Sequence, residues 1–377
     1  MREAVIVSSV RTPGGRAIKG AYKEVRPEDL GAAAIKGAIA RVPGLDPADI
    51  EDVILGCAMP EGEQGLNTAR IIALNAGLPV SVPAQTVNRF CSSGIQTIAM
   101  ASERIMAGFA ECILAGGVES MSAVPMGGHT PRPHPKTVAE NPALYTGMGN
   151  TAEIVATRYG ISREKQDKFA AESHRRALAA IESGVFKDEI IPFGTLTVDE
   201  GPRPGTTEEV LAKLRPVFAA NGSVTAGNSS QMTDGAAATI VMSREKAESL
   251  GAEILGVFRG YAVIGCNPDE MGIGPAFAIP RLMEMTGIKI EDVDLFELNE
   301  AFASQSVYVV ETLGLDPEKV NVHGGAIALG HPLGCTGAKL TATLLHELKR
   351  RDGRYGVVTM CIGGGMGAAA LFERPPS

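Results

Sequence analysis

Residues Val87-Asn88-Arg89-Phe90-Cys91-Ser92-Ser93-Gly94 place a thiol where an extended run gives way to a helical one. Pro83 to Asn88 reads as extended, and Ile95, Ile98, Ile105 and Met106 fall at helical spacing behind the thiol. A helix start carries partial positive charge and unpaired N–H donors, which lower a thiol's pKa and favour the thiolate, so Cys91 is a candidate nucleophile. His331, in GGAIALGHPLGCTG, stands among glycines and a proline, a setting unusual for a core histidine. From the residues alone it could be a base, a metal ligand or a surface group. No second histidine or carboxylate stands at metal spacing, and His323, eight positions upstream, has no helical context. The six cysteines (57, 91, 112, 266, 335 and 361) form no Cys-x-x-Cys pair, which favours neither structural zinc nor a disulfide framework. Cys57, Cys112 and Cys266 read as packing residues.

The elements that must position these groups show a repeat. EDVILGC at 51–57 resembles EDVDLFE at 291–297, and Glu51 to Cys91 spans 40 positions, as does Glu291 to His331. Each endpoint has a glycine three residues on (Gly94, Gly334), then a helix-like run, then a strand ending in glycines: CILAGGV at 112–118 and VTMCIGGG at 358–365. This predicts a duplicated α/β half, with Cys91 and His331 in equivalent places and both helix starts turned toward one site. Residues 119–220 interrupt the pattern with Pro, Gly and Asn, and contain one clear amphipathic helix from the N-cap Ser162 to Gly184. The expected organisation is a first half of 1–118 plus about 221–249, an inserted segment at 119–220, and a second half at 250–377.

Composition sets the class. With 377 residues, 45% apolar content, 45 glycines and 5% aromatic residues, the chain suits a tightly turned α/β protein with a large core. No apolar run is long enough to span a bilayer, and Met1–Val10 reads as a first strand, not a secretion signal. A reduced, cytoplasmic protein is the simplest expectation. The formal charge of −8 argues against nucleic-acid binding but leaves room for an anionic ligand on local basic residues.

NRFCSSG, GGVESMS, VTAGNSSQMTDGAAA, NEAF, GGAIALGHPLGCTG and CIGGGMG, in that order across nearly the whole chain, resemble the thiolase family. The resemblance implies two βαβαβαββ halves in a five-layered α-β-α-β-α sandwich, with a CoA-binding loop domain inserted in the first half. It implies that Cys91 is the nucleophile that takes an acyl group from a 3-ketoacyl-CoA, that His331 activates it, and that Cys361 is the acid/base for the departing acetyl-CoA carbanion. Asn299 of NEAF would fix a water that forms one oxyanion hole with His331, and the N–H groups of Cys91 and Gly363 would form the other. Coenzyme A enters as substrate, and no cofactor or metal is implied. Ser230 and Ala226 would lie beside the pantetheine arm, Met148, Met271, Ala301 and Phe302 would line the channel, and Leu214 and Phe218 would meet the adenine. Arg132, His134 and Lys136 could meet CoA phosphates or form a solvated loop.

Some departures narrow the family. Gly147 stands where biosynthetic acetoacetyl-CoA thiolases generally carry histidine, Cys335 marks a variant GHPLGCTG, and the loop before MGNTAE is short. These lean toward the degradative 3-ketoacyl-CoA thiolases of fatty-acid β-oxidation, with acetoacetyl-CoA thiolase as the nearest alternative. A non-catalytic lipid-binding relative would be expected to lack one of Cys91, Asn299, His331 or Cys361, and this chain has all four. The resemblance also implies a homodimer or homotetramer, with a β-oxidation multienzyme complex known for some members.

Overall fold

Side chains two apart on a strand share a face, so the register of each strand decides what it buries on either side. The structure, a computed structural model, describes residues 2–375. In chain order the strands are β1 (Ala4–Arg11), β2 (Gly15–Arg16), β3 (Asp52–Gly56), β4 (Ala84–Val87), β5 (Cys112–Ser120), β6 (Thr233–Ser243), β7 (Gly256–Gly265), β8 (Leu295–Leu298), β9 (Tyr355–Ile362) and β10 (Met366–Glu373). They form one ladder in the order β4-β3-β5-β6-β1-β7-β10-β9-β8, with β2 against β6. The order is nearly palindromic about the β1–β7 seam, which pairs Val5 with Val257 and Ile6 with Gly256. On each side two antiparallel pairings are followed by parallel ones, and the place of β4 is marked in the second half by a single parallel bridge from Phe296 to Val320.

Opposite faces of the strands feed separate cores. Ile6, Ile113, Ala115 and Val241 of the first half meet Phe258, Val358, Met360 and Ala370 of the second through two central helices, Ser93–Met106 and Leu333–Arg351. The alternate residues Val5, Leu55, Leu114 and Ile240 pack outward on helices Pro27–Ala40 and Thr68–Asn75. Phe296, Val357, Ala369 and Leu371 do the same on helices Pro275–Thr286 and Ala303–Leu313. The result is the expected five-layered α-β-α-β-α sandwich. Each fully buried Ile or Leu in these layers contributes about 1.5–3 kcal/mol.

The repeat holds, but its strand register differs from the motif match. Asp52 pairs with Ile113 as Leu295 pairs with Gly356, so Asp52 corresponds to Leu295, three residues beyond the Asp292 of the EDV motif. The helices do keep the motif spacing, since they begin at Ser93 and Leu333, each two residues after Cys91 or His331. The link from strand to central helix is therefore three residues shorter in the second half, and Asn299 lies just past the end of β8. Matching acidic pairs misled the register because Asp52 already belongs to β3, whereas Glu291 and Asp292 lie in a turn before β8 and carry no pleat constraint.

The two central helices cross on glycine. A Cβ on Gly94 would lie 2.7 Å from the Ala338 nitrogen, and one on Gly337 would lie 2.2 Å from the Ile95 nitrogen. Backbone cannot yield as a side chain can. Gly337→Ala is therefore expected to destabilise the fold by about 1–3 kcal/mol or more, read as a lowered midpoint in thermal or urea unfolding.

Between β5 and β6 the chain builds helices Pro135–Glu140, Met148–Arg158, Arg163–Ser183 and Glu208–Leu211. The third starts where Ser162 Oγ accepts from the Lys165 N–H at 3.3 Å and stops at Gly184, whose φ is +75°. Its buried Ala177 and Ala180 pack on Ala328 and Leu329, the turn leading into His331.

Candidate active site

Cys91 lies in a tight helical turn, Phe90–Ser92, against the start of helix Ser93–Met106. Phe90 has a φ of +43°, a left-handed conformation costly for a bulky residue. Short polar side chains hold it there. Asn88 Oδ1 accepts from the Phe90 N–H at 2.8 Å, Ser93 Oγ donates to the Phe90 carbonyl at 2.7 Å, and Ser92 Oγ donates to the Arg89 carbonyl at 3.1 Å. Ser92 and Ser93, with Asn88, thus build the elbow that presents the thiol.

Burial pushes the Cys91 thiol up to about 11, although the N–H groups of Gly363 and of Cys91 itself bond to its sulfur and favour the thiolate. The expected lowering by the helix start is outweighed by desolvation. The thiol is therefore protonated at neutral pH, and would need a base to act as a nucleophile. The two N–H groups aimed at the sulfur are those anticipated as an oxyanion hole, and both come from backbone.

His331 is fixed at every polar atom. Its N–H donates to the Gln231 carbonyl at 3.1 Å and to Thr233 Oγ1 at 3.2 Å. Asn299 Nδ2 donates to His331 Nε2 at 3.3 Å, which places the ring proton on Nδ1, 2.6 Å from Thr336 Oγ1. Burial, reinforced by the positive charge of Lys339, lowers the imidazole pKa to about 3. The ring is thus neutral and able to accept a proton at Nε2. Asn299 Oδ1 is buried without a partner, the kind of atom a held water or a protonated Nε2 would satisfy.

Cys361 closes β9 and is fully buried; desolvation, then the neighbouring Cys91, raises its pKa well above the ordinary thiol value. It packs with Met148, Met271, Ala301 and Phe302 in one apolar cluster. Phe218 meets Phe302 edge-on at 6.2 Å and lies over Gly149, while Leu214 lies over Gly227 beside the exposed Ala226. The Ser230 N–H donates to the Ala301 carbonyl at 2.9 Å, tying the AGNSS loop to the same wall. Met148, Met271, Ala301 and Phe302 thus gather around buried Cys361, with the half-exposed Phe218 against Phe302 and Leu214 beside Gly227.

Of the basic trio, His134 Nδ1 caps helix Pro135–Glu140 by accepting from the Thr137 N–H at 3.3 Å, and Lys136 pairs with Glu140 at 3.8 Å, both at the exposed surface. Among the described residues no three His, Cys, Asp or Glu side chains are grouped to hold a metal ion.

Sequence reading missed the roles of Glu119 and Thr336 and the contact made by His323. Glu119 of GGVESMS is buried and accepts from the N–H groups of Ala58 and Gly334 at 2.8 Å and of Met59 at 3.1 Å, bonding the nucleophile half to the start of the His331 helix. Thr336, in the variant GHPLGCTG, meets the imidazole with its hydroxyl 2.6 Å from His331 Nδ1. His323 lies 2.7 Å from Glu347 and edge-on to Phe186, a structural contact with the carboxylate that braces the last turn of the central helix.

Two family models span this frame: "Thiolase, N-terminal domain" over residues 4–245 and "Thiolase, C-terminal domain" over 252–374. The chain belongs to the thiolase family. It is 55% identical to the 3-ketoacyl-CoA thiolase of Bacillus subtilis, covering 99% of this chain and 100% of that one. It is 49% identical to the peroxisomal 3-ketoacyl-CoA thiolase A of Mus musculus, covering 99% and 91%. Among solved structures, human mitochondrial 3-ketoacyl-CoA thiolase superposes with a TM-score of 0.92 at 40% identity, covering 100% of this chain and 99% of that one. The acetyl-CoA acetyltransferase of Bacillus anthracis gives the same TM-score at 43% identity and the same coverage.

Proposed function

We propose that this thiolase is an acyltransferase that cleaves 3-ketoacyl-CoA with a second CoA, releasing acetyl-CoA and a shortened acyl-CoA in fatty-acid β-oxidation. One observation carries the reading: Cys91, bonded at sulfur by two backbone N–H groups, neighbours the second buried thiol Cys361 within an apolar surround, and packs on Leu333, two residues past the neutral imidazole of His331.

His331 Nε2 takes the Cys91 proton, and the thiolate attacks the 3-keto carbon. The oxyanion forms where the Cys91 and Gly363 N–H groups point, an arrangement worth about 2.7–4 kcal/mol per donor. Rotation of the Asn299 amide offers its orphan Oδ1 to the protonated imidazole. As the carbon–carbon bond breaks, the electron pair moves onto the acetyl-CoA enolate, whose oxygen faces His331 and the water held by Asn299. Cys361 gives its proton to that carbanion, a task suited to a thiol kept protonated by burial. The acyl group stays on Cys91 until the incoming CoA sulfur, losing its proton to the Cys361 thiolate, displaces it, and His331 returns its proton to the freed Cys91 sulfur.

Residues 119–220 serve as the CoA-binding loop domain in this reading, with Ser230 and Ala226 along the pantetheine arm and Leu214 and Phe218 at the adenine. CoA is the substrate and no resident cofactor takes part. The edge strand β4, next to the nucleophile turn, is where a second copy would pair to give a homo-oligomer. A cytoplasmic setting fits a chain in which no described helix is long and apolar enough to cross a membrane.

Thiolysis rates for acetoacetyl-CoA beside C8–C16 3-ketoacyl-CoA test the substrate class. Turnover of the longer substrates is expected. Activity confined to the C4 substrate would instead assign acetyl-CoA acetyltransferase chemistry, as in the Bacillus anthracis neighbour.

A further inference from the structure

Lys339 lies on the inner face of the central helix Leu333–Arg351 and is 4% exposed. Its ammonium donates to the Leu329 carbonyl at 3.0 Å and the Gly330 carbonyl at 2.9 Å. Those two carbonyls close the turn Ala326–Leu329 and immediately precede His331. A buried ammonium normally takes a carboxylate as direct partner. Of the carboxylates near it, Glu189 and Asp199 are bonded to Arg11, at 2.6 Å and 2.7 Å, and Glu297 is held well above the ordinary carboxylate pKa by burial. Lys339 is left on neutral carbonyl oxygens, with its charge uncancelled on the His331 side.

We infer that Lys339 is a positioning residue for His331, its ammonium clamping the two carbonyls that lead into the imidazole and keeping a fixed positive charge beside it. This rests on the role proposed for His331 above. The clamp sets where Nε2 stands relative to Cys91 and Asn299. The charge disfavours the imidazolium, in line with the direction of the His331 shift, and so keeps Nε2 unprotonated between turnovers. The ionisable groups around the pair are Cys91 on the nucleophile turn, Glu119 on β5, Glu297 on β8, and Asp199, Glu189, Arg11 and Cys335 around the ammonium. Burial, only partly offset by Asp199, lowers the Lys339 pKa to about 8, so the clamp remains mostly charged at neutral pH.

The test uses the full chain labelled with ¹⁵N-histidine, with His331→Gln identifying the His331 ring signals, and the variants Lys339→Met and Lys339→Gln. In both, the His331 titration is expected to move up by about one pH unit or more, the acid limb of kcat/KM following it. In Lys339→Met, kcat should also fall by about 10²-fold, with KM for CoA within about threefold, because the ring is misplaced. Should Lys339→Met fail to fold, Lys339→Gln, which can still donate to one carbonyl, carries the same titration. An unmoved His331 titration in a folded variant overturns the inference even if thiolysis by the parent is intact. Absence of thiolysis in the parent overturns the function instead, because the ring titration is read without turnover.

Discussion

Cys91→Ser is expected to lower kcat by about 10⁴-fold or more while leaving CoA affinity nearly unchanged. The elbow makes this a clean experiment. Phe90 is held by Asn88, Ser92 and Ser93, none of which bonds to the sulfur, so a hydroxyl can replace the thiol without releasing the strained turn. What changes is the nucleophile. With the thiol already raised by burial, an alcohol at the same place is beyond the reach of an imidazole whose own pKa is low. Incubation of the parent with 3-ketoacyl-CoA and an acid quench should yield one acyl adduct, mapped by mass spectrometry to the peptide holding Cys91. An adduct on Cys361 would reverse the two roles.

Removing Cys361 should divide the reaction in two. Cys361→Ala is expected to keep acylation of Cys91 by an activated thioester within about threefold, and to lose about 10²–10⁴-fold in carbon–carbon cleavage and condensation, the usual span for a general acid–base group. The sulfur sits at the end of β9 among Met148, Met271, Ala301 and Phe302, so its loss leaves a small cavity and not an exposed site. Turnover at the parent's rate would remove Cys361 from the chemistry.

Much of this was legible in the chain. Cys91, His331 and Cys361 each sit where one element ends and a turn or helix begins, where glycine and small polar residues write a recognisable local code. The helix capped by Ser162 and closed by Gly184 was readable to the residue, because both caps are local interactions. Register was not, since Asp52 and Leu295 become equivalent only through pairing with strands that lie far away in sequence. Nor were Glu119 and Lys339. A buried charge is explained by its partners, and theirs are backbone groups of another segment, which leave no mark in composition or spacing. The shift of Cys91 was misjudged for the same reason: helix position is local, but desolvation is a sum over the whole fold.

The glycine crossing of the two central helices has a consequence for how this molecule came to be and how it comes apart. Once backbone touches backbone at the middle of a duplicated protein, neither copy retains a surface it could show to water, so ancestry as two separate modules is erased from its behaviour. Heating should melt both copies in one transition, and either one expressed alone should remain unfolded until the other is supplied.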